Sequence, residues 1–295
     1  MNTAAQSALD RALSLSIWNA PQQATLLGGG ITNFNVLLAD QDRRYVVRVG
    51  QDIPLHQIMR FNELAVHKAA QEIGLAPPIV HSEPGIMVLE FVDGMPLDEE
   101  AIRRDDVLTR ILPLLKRCHT EAQYALRGPV LTFWVFHVLR DYAATLRADK
   151  SSYSPLLEPL LDTSANLESA VGPVQLVLGH NDLLAANFID EGSRLWLLDW
   201  EYGGYNSPLF DLAGLASNNG LSPTQERWML EQYFEAPLTD QLEHQYHAMK
   251  CASLLRETLW SMVSEIHSDI DFDYAQYTDK NLTRFKTALS DFQNM

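Results

Sequence analysis

The sequence contains little cysteine and no long hydrophobic run, and both scarcities narrow the class of protein. Only two of its 295 residues are cysteines, Cys118 and Cys251, which is too few for a disulfide framework. No apolar segment approaches the ~20 residues that a membrane-spanning helix needs. The N-terminal segment MNTAAQSALDRALSLSIW lacks the basic start and hydrophobic stretch of a signal peptide. We therefore expect a cytoplasmic protein without membrane insertion.

Basic residues are also few, because 22 lysines and arginines stand against 38 aspartates and glutamates, for a formal net charge of −16. A field of this sign repels nucleic acid and anionic membranes and favours cationic ligands. Many proteins are acidic for solubility alone, so the charge gains meaning only beside independent evidence for a cationic ligand. It predicts no nucleic-acid partner.

Several chemical signatures are missing from the sequence. There is no G-x-x-x-x-G-K-[ST] loop, which excludes a P-loop NTPase, and neither a G-x-S-x-G elbow nor a C-x-x-C pair is present. His244, His247 and Cys251 share one helical face, but no fourth ligand with suitable spacing accompanies them. A polar helix face explains these three residues better than a zinc site.

The secondary-structure pattern changes near Asp93. Before it, strand-like segments ATLLGG, FNVLLAD and RRYVVRVG precede a predicted helix over Pro54–Ile73 and short strands at Ile79–His81 and Ile86–Glu90. After it, helical spacing of apolar residues predominates over four segments: Asp105–Thr120, Thr132–Leu146, Pro155–Val171 and Thr239–His267. The pattern predicts an α+β protein with an N-terminal lobe, 1–93, and a larger C-terminal lobe, 94–295.

Acidic and amide side chains concentrate in HNDLLAANFIDEGSRLWLLDWE, residues 180–201. Within it we predict a hairpin with strand FID, turn EGS and strand RLWLL. The midpoint is Ser193, so Asn187 and Asp199 lie opposite each other on the two strands at the open end, within side-chain reach of each other. An amide oxygen and a carboxylate facing one point suit a hard divalent cation that keeps some of its waters.

Asp182 precedes Asn187 by five residues and lies on the loop that enters the same end, where it can accept a proton from a hydroxyl nucleophile. Asp and Asn commonly cap turns, and for any single residue that alternative stands. Asp182, Asn187 and Asp199 together match the spacing of a kinase catalytic loop. That loop reads H-x-D with Asn five residues later, and a D-x-x metal loop follows it. We expect the three side chains to meet around a divalent ion.

The block HNDLLAANFI…LWLLDWEYGGYNSPLFDLAGLA resembles the choline/ethanolamine kinase branch of the aminoglycoside phosphotransferase-like superfamily. The resemblance implies a bilobal protein-kinase-like fold, with a small β-rich N-lobe and a larger α-helical C-lobe, and it implies ATP and Mg²⁺. It also implies that Asp182 is the catalytic base and that Asn187 and Asp199 are the magnesium ligands. His180 matches a position that braces the loop backbone, and Asp211 matches a buried acid that fastens the loop through main-chain hydrogen bonds.

The N-terminal part offers candidates for the nucleotide site. The segment LLGGGITNFNVLL reads as strand, glycine-rich turn and strand, in which glycines let backbone amides approach phosphate oxygens. Alone it is only a hairpin, but its position, first in the chain, is that of the phosphate loop in this superfamily. The candidate residues are Gly28, Gly29, Gly30, Thr32 and Asn33.

Arg48 lies among valines in the third predicted strand, YVVRVG, and its burial there would require a partner of opposite charge. Glu63, inside the following helix, is the candidate, and the pair resembles the phosphate-positioning ion pair of the family, with Arg where most protein kinases carry Lys. The alternative is an arginine at a strand edge that faces water. In such a fold the adenine contacts backbone groups of the connector that contains Glu90 and Val92.

The acceptor site is suggested by LLRETLWSMVSEIHSDIDFDYAQYTDKNLTRF. Trp260, Tyr274 and Tyr277 offer ring faces to an ammonium group, and the pattern resembles the choline-binding end of choline kinases. The sequence departs from that pattern at Glu257, where many of those enzymes carry a second Trp, and a carboxylate there suits a primary ammonium or a larger amine at least as well. The alternative is that these aromatics are helix core.

Glu201 and Tyr202 follow the metal aspartate directly and are further candidates for the acceptor pocket. The combined pattern predicts an ATP-dependent kinase that phosphorylates the hydroxyl of a cationic amino-alcohol, choline first and ethanolamine next. Thiamine and aminoglycosides are the alternative acceptors. A catalytically silent nucleotide-binding protein is the alternative of another class, and the intact Asp182, Asn187 and Asp199 disfavour it.

Overall fold

The computed structural model describes residues 3–28, 32–268, 270 and 272–295. The regular elements in chain order are α1 (Thr3–Leu13), β1 (Pro21–Leu27), β2 (Phe34–Asp40), β3 (Arg43–Val49), α2 (Arg60–Glu72), β4 (Ile79–Glu83), β5 (Ile86–Glu90), β6 (Met95–Pro96), α3 (Glu99–Ile102), α4 (Asp105–Ala125), α5 (Val135–Ala148), α6 (Ser154–Val171), β7 (Val177–Gly179), β8 (Phe188–Asp190), β9 (Leu195–Leu197), β10 (Gly204–Asn206), α7 (Pro208–Asn219), α8 (Pro223–Phe234), α9 (Asp240–His267) and α10 (Tyr274–Gln293).

The described chain forms two compact units. Unit 1 contains the residues up to Pro96 together with Glu121–Val130 and Asn187–Tyr202, and unit 2 contains Leu97–Thr120, Leu131–Ala186 and the chain from Gly203 onward. The strands of the larger sheet belong to unit 1 and most helices to unit 2. The predicted α+β class is confirmed.

The main sheet of unit 1 has five antiparallel strands in the order β1-β2-β3-β5-β4. Strand β2 alternates, with Val36 and Leu38 fully buried, because successive side chains of a strand point to opposite faces. Helix α1 packs on the face that carries Val36 and Val47. The sequence pattern did not predict this N-terminal helix. The sheet holds the middle strand β3 rigidly from both sides.

Helix α2 begins at Arg60, so the prediction of a helix from Pro54 was wrong at its start. Pro54–His56 form a single 3₁₀ turn, and Gln57 adopts a left-handed backbone with φ 60° that an α-helix cannot continue through. Gly74, with φ +73°, follows the end of the helix, as the sequence indicated. Because α2 begins six residues later than predicted, Arg60 lies in its first turn.

The second sheet of unit 1 is small and contains the predicted hairpin. Strands β8 and β9 pair antiparallel with Phe188 opposite Leu197, and β6 pairs with the other side of β8. Gly192 in the turn has φ +90°, and its amide donates to the Asp190 carboxylate at 2.8 Å. The predicted hairpin is present, but its register differs from the prediction by one residue, because Leu198 rather than Asp199 pairs with Asn187.

Unit 2 is built around α9, which packs against α10, α7, α5 and α6. Thr239 caps its start by accepting a hydrogen bond from Leu242 N at 3.2 Å. Residues of α9 are buried on all sides between Cys251 and Ser264, as expected for a central helix. Strands β7 and β10 form a two-stranded antiparallel ribbon. In the described residues, no helix is both long and apolar enough to cross a bilayer.

Two other helix boundaries differ from prediction. Helix α4 continues to Ala125 rather than ending at Thr120. Helix α5 begins at Val135 rather than Thr132, because Thr132 forms a parallel β-bridge with Tyr205 and so stays extended.

Candidate active site

Arg48 is the centre of a buried ion-pair network in unit 1. Its Nε donates to Glu63 Oε1 at 3.0 Å, and its Nη2 lies 2.8 Å from the same oxygen and 2.7 Å from Asp199 Oδ1. The side chain is only 10% exposed. The pair with Glu63 was expected from the sequence, and the direct contact with Asp199 is additional. Strand β3, helix α2 and the segment after β9 thus meet at one guanidinium.

Arg60 is the second cation of this network, and the sequence analysis did not identify it. Its Nη1 donates to Glu63 Oε2 at 2.6 Å and to Glu201 Oε2 at 3.2 Å. Arg60 and Glu63 are three residues apart in α2 and therefore share a helix face. That spacing was a readable signal, but the contact with Glu201 depends on tertiary structure.

The network contains two guanidinium groups and three carboxylates, those of Glu63, Asp199 and Glu201. The pKa of Glu201 is raised to about 7, first by burial and then by the Asp199 carboxylate, while Arg48 opposes the change. Burial disfavours the charged form of Arg48, but Asp199, Glu63 and Glu201 more than offset it, so its pKa is raised. The guanidinium therefore stays charged in its buried position.

The glycine-rich segment is tied to the same network at its C-terminal side. Thr32 Oγ1 donates to the Glu201 carboxylate at 2.8 and 2.9 Å, and Asn33 Nδ2 donates to Glu201 Oε2 at 3.3 Å. A Cβ added to Gly28 would meet no atom within 4 Å, so backbone there is open to a ligand. Gly29 and Gly30 lie outside the described residues.

The connector after β5 has two of its amides engaged. Glu90 N donates to Pro78 O at 2.9 Å and Phe91 N donates to Arg44 O at 3.1 Å. These hydrogen bonds fix the backbone that leads to Val92. An adenine contact through the amide of Glu90 would compete with its bond to Pro78 O.

Asn187 and Asp199 flank the open end of the β8–β9 hairpin. Leu198 N donates to Asn187 O at 2.8 Å, which places the two candidate ligands on neighbouring strands. Asp199 has φ 63°, a left-handed conformation that is uncommon outside glycine and is often found at functional sites. One carboxylate and one amide oxygen are suitable donors for Mg²⁺, which binds through few protein ligands and keeps several waters.

No group of three or more His, Cys, Asp or Glu side chains that could hold a metal occurs in residues 3–28, 32–268, 270 and 272–295. The residues at the hairpin fit magnesium, whose remaining ligands come from water and phosphate oxygens.

Asp182 lies in unit 2 on a loop held by Asp211. The Asp211 carboxylate accepts from His180 N at 2.8 Å, from Asn181 N at 2.7 Å and from His119 Nε2 at 2.9 Å. His119 and the main-chain amides stabilise the charged carboxylate, and the pKa of Asp211 is lowered although burial opposes this. These are main-chain contacts of the kind expected for Asp211.

The loop geometry depends on two unusual positions. Asn181 has φ 67°, and its side chain donates to Gly204 O at 3.3 Å and accepts from Asn206 Nδ2 at 3.2 Å. A Cβ on Gly179 would lie 3.0 Å from Asp211 Oδ2, so glycine permits the close approach. Asp182 N then donates to His180 Nδ1 at 3.2 Å, which agrees with a bracing role for His180.

Four aromatic rings form a cluster between the C-terminal part of α9 and α10. Trp260 lies edge-on to Tyr274 and Tyr277, with centroid distances of 6.1 and 6.3 Å, and Phe272 contacts both tyrosines at 4.9 and 5.6 Å. Trp260 and Tyr274 are buried, while Phe272 is 46% exposed. The cluster thus reaches from the helix core to the surface, as an ammonium-binding pocket would require.

Glu257 borders the aromatic cluster, but its carboxylate is already engaged. Oε1 forms an ion pair with Arg256 Nη1, and Oε2 accepts from Tyr277 OH at 3.3 Å. Arg256 was not identified from the sequence, although it directly precedes Glu257. Tyr202, the remaining candidate, is buried in unit 1 beside Glu201.

These arrangements define a class of protein before any particular family. A kinase-like phosphotransferase is built from three such parts. They are a five-stranded sheet with a buried Arg–Glu pair, a hairpin that carries Asn and Asp, and a loop with a carboxylate in a helical unit. The structure is similar to that of choline kinase LicA from Streptococcus pneumoniae, with a TM-score of 0.78 at 23% identity over 98% of this chain and 100% of that one. The fold is protein-kinase-like.

A model of the choline/ethanolamine kinase family matches residues 24–222, and the chain belongs to that family. It is 26% identical to Protein LicA of Haemophilus influenzae over 84% of this chain and 75% of that protein. It is 29% identical to ethanolamine kinase 2 of Mus musculus over 84% of this chain and 71% of that protein. The chain is therefore a phosphotransferase that acts on an alcohol group.

Proposed function

We propose that this enzyme transfers the γ-phosphate of ATP to the hydroxyl of choline, with ethanolamine as the alternative acceptor. The preference for choline over ethanolamine depends on one observation, that the Glu257 carboxylate is already bound by other side chains. A primary ammonium needs hydrogen-bond acceptors, and the Glu257 carboxylate already serves Arg256 and Tyr277. A quaternary ammonium needs ring faces instead, each worth about 0.5–2 kcal/mol. Trp260 and Tyr277 supply such rings, and Tyr277 reaches that carboxylate through its hydroxyl.

The nucleotide side of the proposal assigns phosphate contacts to the glycine-rich segment, Gly28–Gly30 with Thr32 and Asn33, and to Arg48. Glu63 holds Arg48 in place, as the ion pair at 2.8 Å supports. The backbone of Glu90 and Val92 is assigned to the adenine. A lobe boundary near Asp93 and a cytoplasmic location belong to the same proposal.

In the proposed mechanism Asp182 accepts the proton of the acceptor hydroxyl, while Asn187 and Asp199 hold Mg²⁺. The metal supplies charge neutralisation on the phosphate oxygens. The protein contributes mainly positioning and electrostatic stabilisation, since phosphoryl transfer involves little covalent chemistry of the enzyme itself. The Asp211 hydrogen bonds support this role by fixing the loop on which Asp182 lies.

An acceptor survey tests the proposal. ADP release is measured with ATP and Mg²⁺ in the presence of choline, ethanolamine, thiamine or kanamycin. We expect the highest kcat/KM with choline, a lower value with ethanolamine and no stimulation by the other two. Turnover that responds to thiamine or kanamycin and is indifferent to choline would refute the substrate assignment.

The base assignment is tested in the same assay with Asp182→Asn. We expect kcat to fall by about 10²–10⁴-fold while nucleotide affinity stays within a few-fold, because the residue acts on the acceptor proton. The matched control is Asp162→Asn on the exposed side of α6, which should behave as wild type. Full turnover by Asp182→Asn would remove the base assignment and leave the acceptor result intact.

A further inference from the structure

The catalytic loop contains no cation of its own. From His180 to Ser193 the sequence is HNDLLAANFIDEGS, without lysine or arginine. A carboxylate base in a partly buried position keeps its charge and orientation more readily when a cation lies within about 4–6 Å. The side chain of Asp182 is only 15% exposed, so water alone solvates it poorly. A cation supplied by another element would meet this need.

Arg256 of α9 lies in that position. Its Nη1 is 3.9 Å from Asp182 Oδ1, and its side chain is 4% exposed. The guanidinium is also held by the ion pair with Glu257 and lies 5.6 Å from the centre of the Phe133 ring. An arginine fixed on two sides within a central helix presents its charge in one direction with little freedom to move.

The surrounding charges form a single electrostatic cluster within unit 2. The groups around Asp182 and Arg256 are His180 on the loop, Glu257 on α9, Tyr142 on α5 and Tyr277 on α10, and Asp141 acts on the neighbouring Tyr142. The pKa of both tyrosines is raised, mainly by burial, with Arg256 lowering it and Glu257 and Asp182 raising it. Arg256 is therefore the positive charge that balances several acids near the proposed base.

We propose that Arg256 is a positioning residue for phosphoryl transfer: it holds Asp182 ionised and oriented toward the acceptor hydroxyl, and Glu257 holds Arg256. The inference rests on the proposed role of Asp182 as base. It assigns the Arg256–Glu257 pair a catalytic purpose in place of a direct contact with the acceptor's ammonium group. Arginine serves here through its charge and its fixed direction, so lysine should replace it in part and a neutral side chain should not.

The test compares wild type with Arg256→Met and Arg256→Lys in the choline-dependent assay across pH. For Arg256→Met we expect kcat to fall by about 10- to 100-fold, the KM for ATP to stay within a few-fold, and the acidic limb of the kcat profile to move to higher pH. Arg256→Lys should restore most of the turnover and the wild-type limb. Equal losses in both variants with an unmoved limb would mean a merely structural role and would overturn the inference.

Removing Arg256 alone leaves Glu257 buried without its ion pair, which can prevent folding. In that event Arg256→Met/Glu257→Met decides, because it removes both charges and retains the apolar volume. A lowered kcat with a limb at higher pH supports the inference, and a wild-type profile overturns it. If the wild-type enzyme turned over neither choline nor ethanolamine, the proposed function itself would be refuted. If the wild type turned over choline normally and Arg256→Met did so equally well, only the role inferred for Arg256 would be refuted.

Discussion

Removing the positive charge of Arg48 should destabilise the protein more than removing the negative charge of its partner Glu63. The network of unit 1 has two guanidinium groups and three carboxylates, so it carries one excess negative charge when all are ionised. Arg48→Met doubles that excess in a site where Arg48 and Glu63 are 10% and 4% exposed. Glu63→Gln removes it and keeps a polar side chain that can still accept a hydrogen bond.

Breaking a buried ion pair by removing one partner typically costs about 3–5 kcal/mol because a charge is left uncompensated. Arg48→Met leaves Glu63 and Glu201 sharing Arg60, and it removes the 2.7 Å contact of Arg48 with Asp199. We expect the full cost there. For Glu63→Gln, Arg48 keeps its 2.7 Å contact with Asp199, so we expect about 1–3 kcal/mol, the usual range for a weakened buried polar group.

The measurement is urea unfolding at pH 7.5, followed by intrinsic tryptophan fluorescence, to which Trp18 of unit 1, at 5.1 Å from Tyr45, contributes. The control is Arg104→Met, which breaks a surface pair whose members are 63% and 67% exposed and should cost less than about 1 kcal/mol. Equal costs for Arg48→Met and Glu63→Gln would show that excess charge does not govern the site. A cost for Glu63→Gln above that of Arg48→Met would refute the reasoning.

Three further predictions concern stability at low pH, acceptor binding and the metal. Burial lowers the pKa of His67 from 6.5 to about 4, so the folded state resists protonation while the unfolded state does not. The free energy of unfolding should therefore fall as pH drops from about 6.5 toward 4, by roughly 3 kcal/mol at most. In a profile of Tm against pH, His67→Gln should flatten this region, and the control His137→Gln, at an exposed position, should not. Trp260→Leu should raise the KM for choline by about 2- to 30-fold with less effect on ethanolamine, and the half-buried Trp228→Leu on α8 should leave both within a few-fold in initial-rate assays. Asn187→Ala should raise the Mg²⁺ concentration for half-maximal turnover about tenfold or more without changing the KM for choline, and an unchanged magnesium titration would remove Asn187 as a ligand.

The local geometry of the hairpin was accessible from the sequence because it follows from a two-residue period and one turn. Once FID and RLWLL are assigned as paired strands, Asn187 and Asp199 fall at the open end, although the observed pairing places Leu198 rather than Asp199 opposite Asn187. The partner of Arg48 was predictable for a different reason, since an arginine among valines in a central strand needs a nearby acid. Both inferences use short-range rules.

The contacts that were missed depend on tertiary structure. Arg60 lies in the first turn of α2, and only the folded chain brings Glu201 to it. Arg256 reaches Asp182 from a helix far away in sequence. The start of α2 was misplaced because the left-handed backbone of Gln57 leaves no trace in the spacing of apolar residues. Hydrophobic periodicity indicates which face of a helix or strand is buried, but it does not predict the backbone angle at which that helix or strand ends.

The hydrogen bonds from Thr32 and Asn33 to Glu201 have a consequence for how a nucleotide would enter and leave. Thr32 and Asn33, which directly precede β2, are hydrogen-bonded to a carboxylate two residues beyond Asp199, so these two segments separate only when the bonds break. With Asp199 in its proposed role as a magnesium ligand, release of spent nucleotide and rearrangement around that aspartate would occur as one event. An enzyme built this way has a reason to turn over no faster than these bonds open.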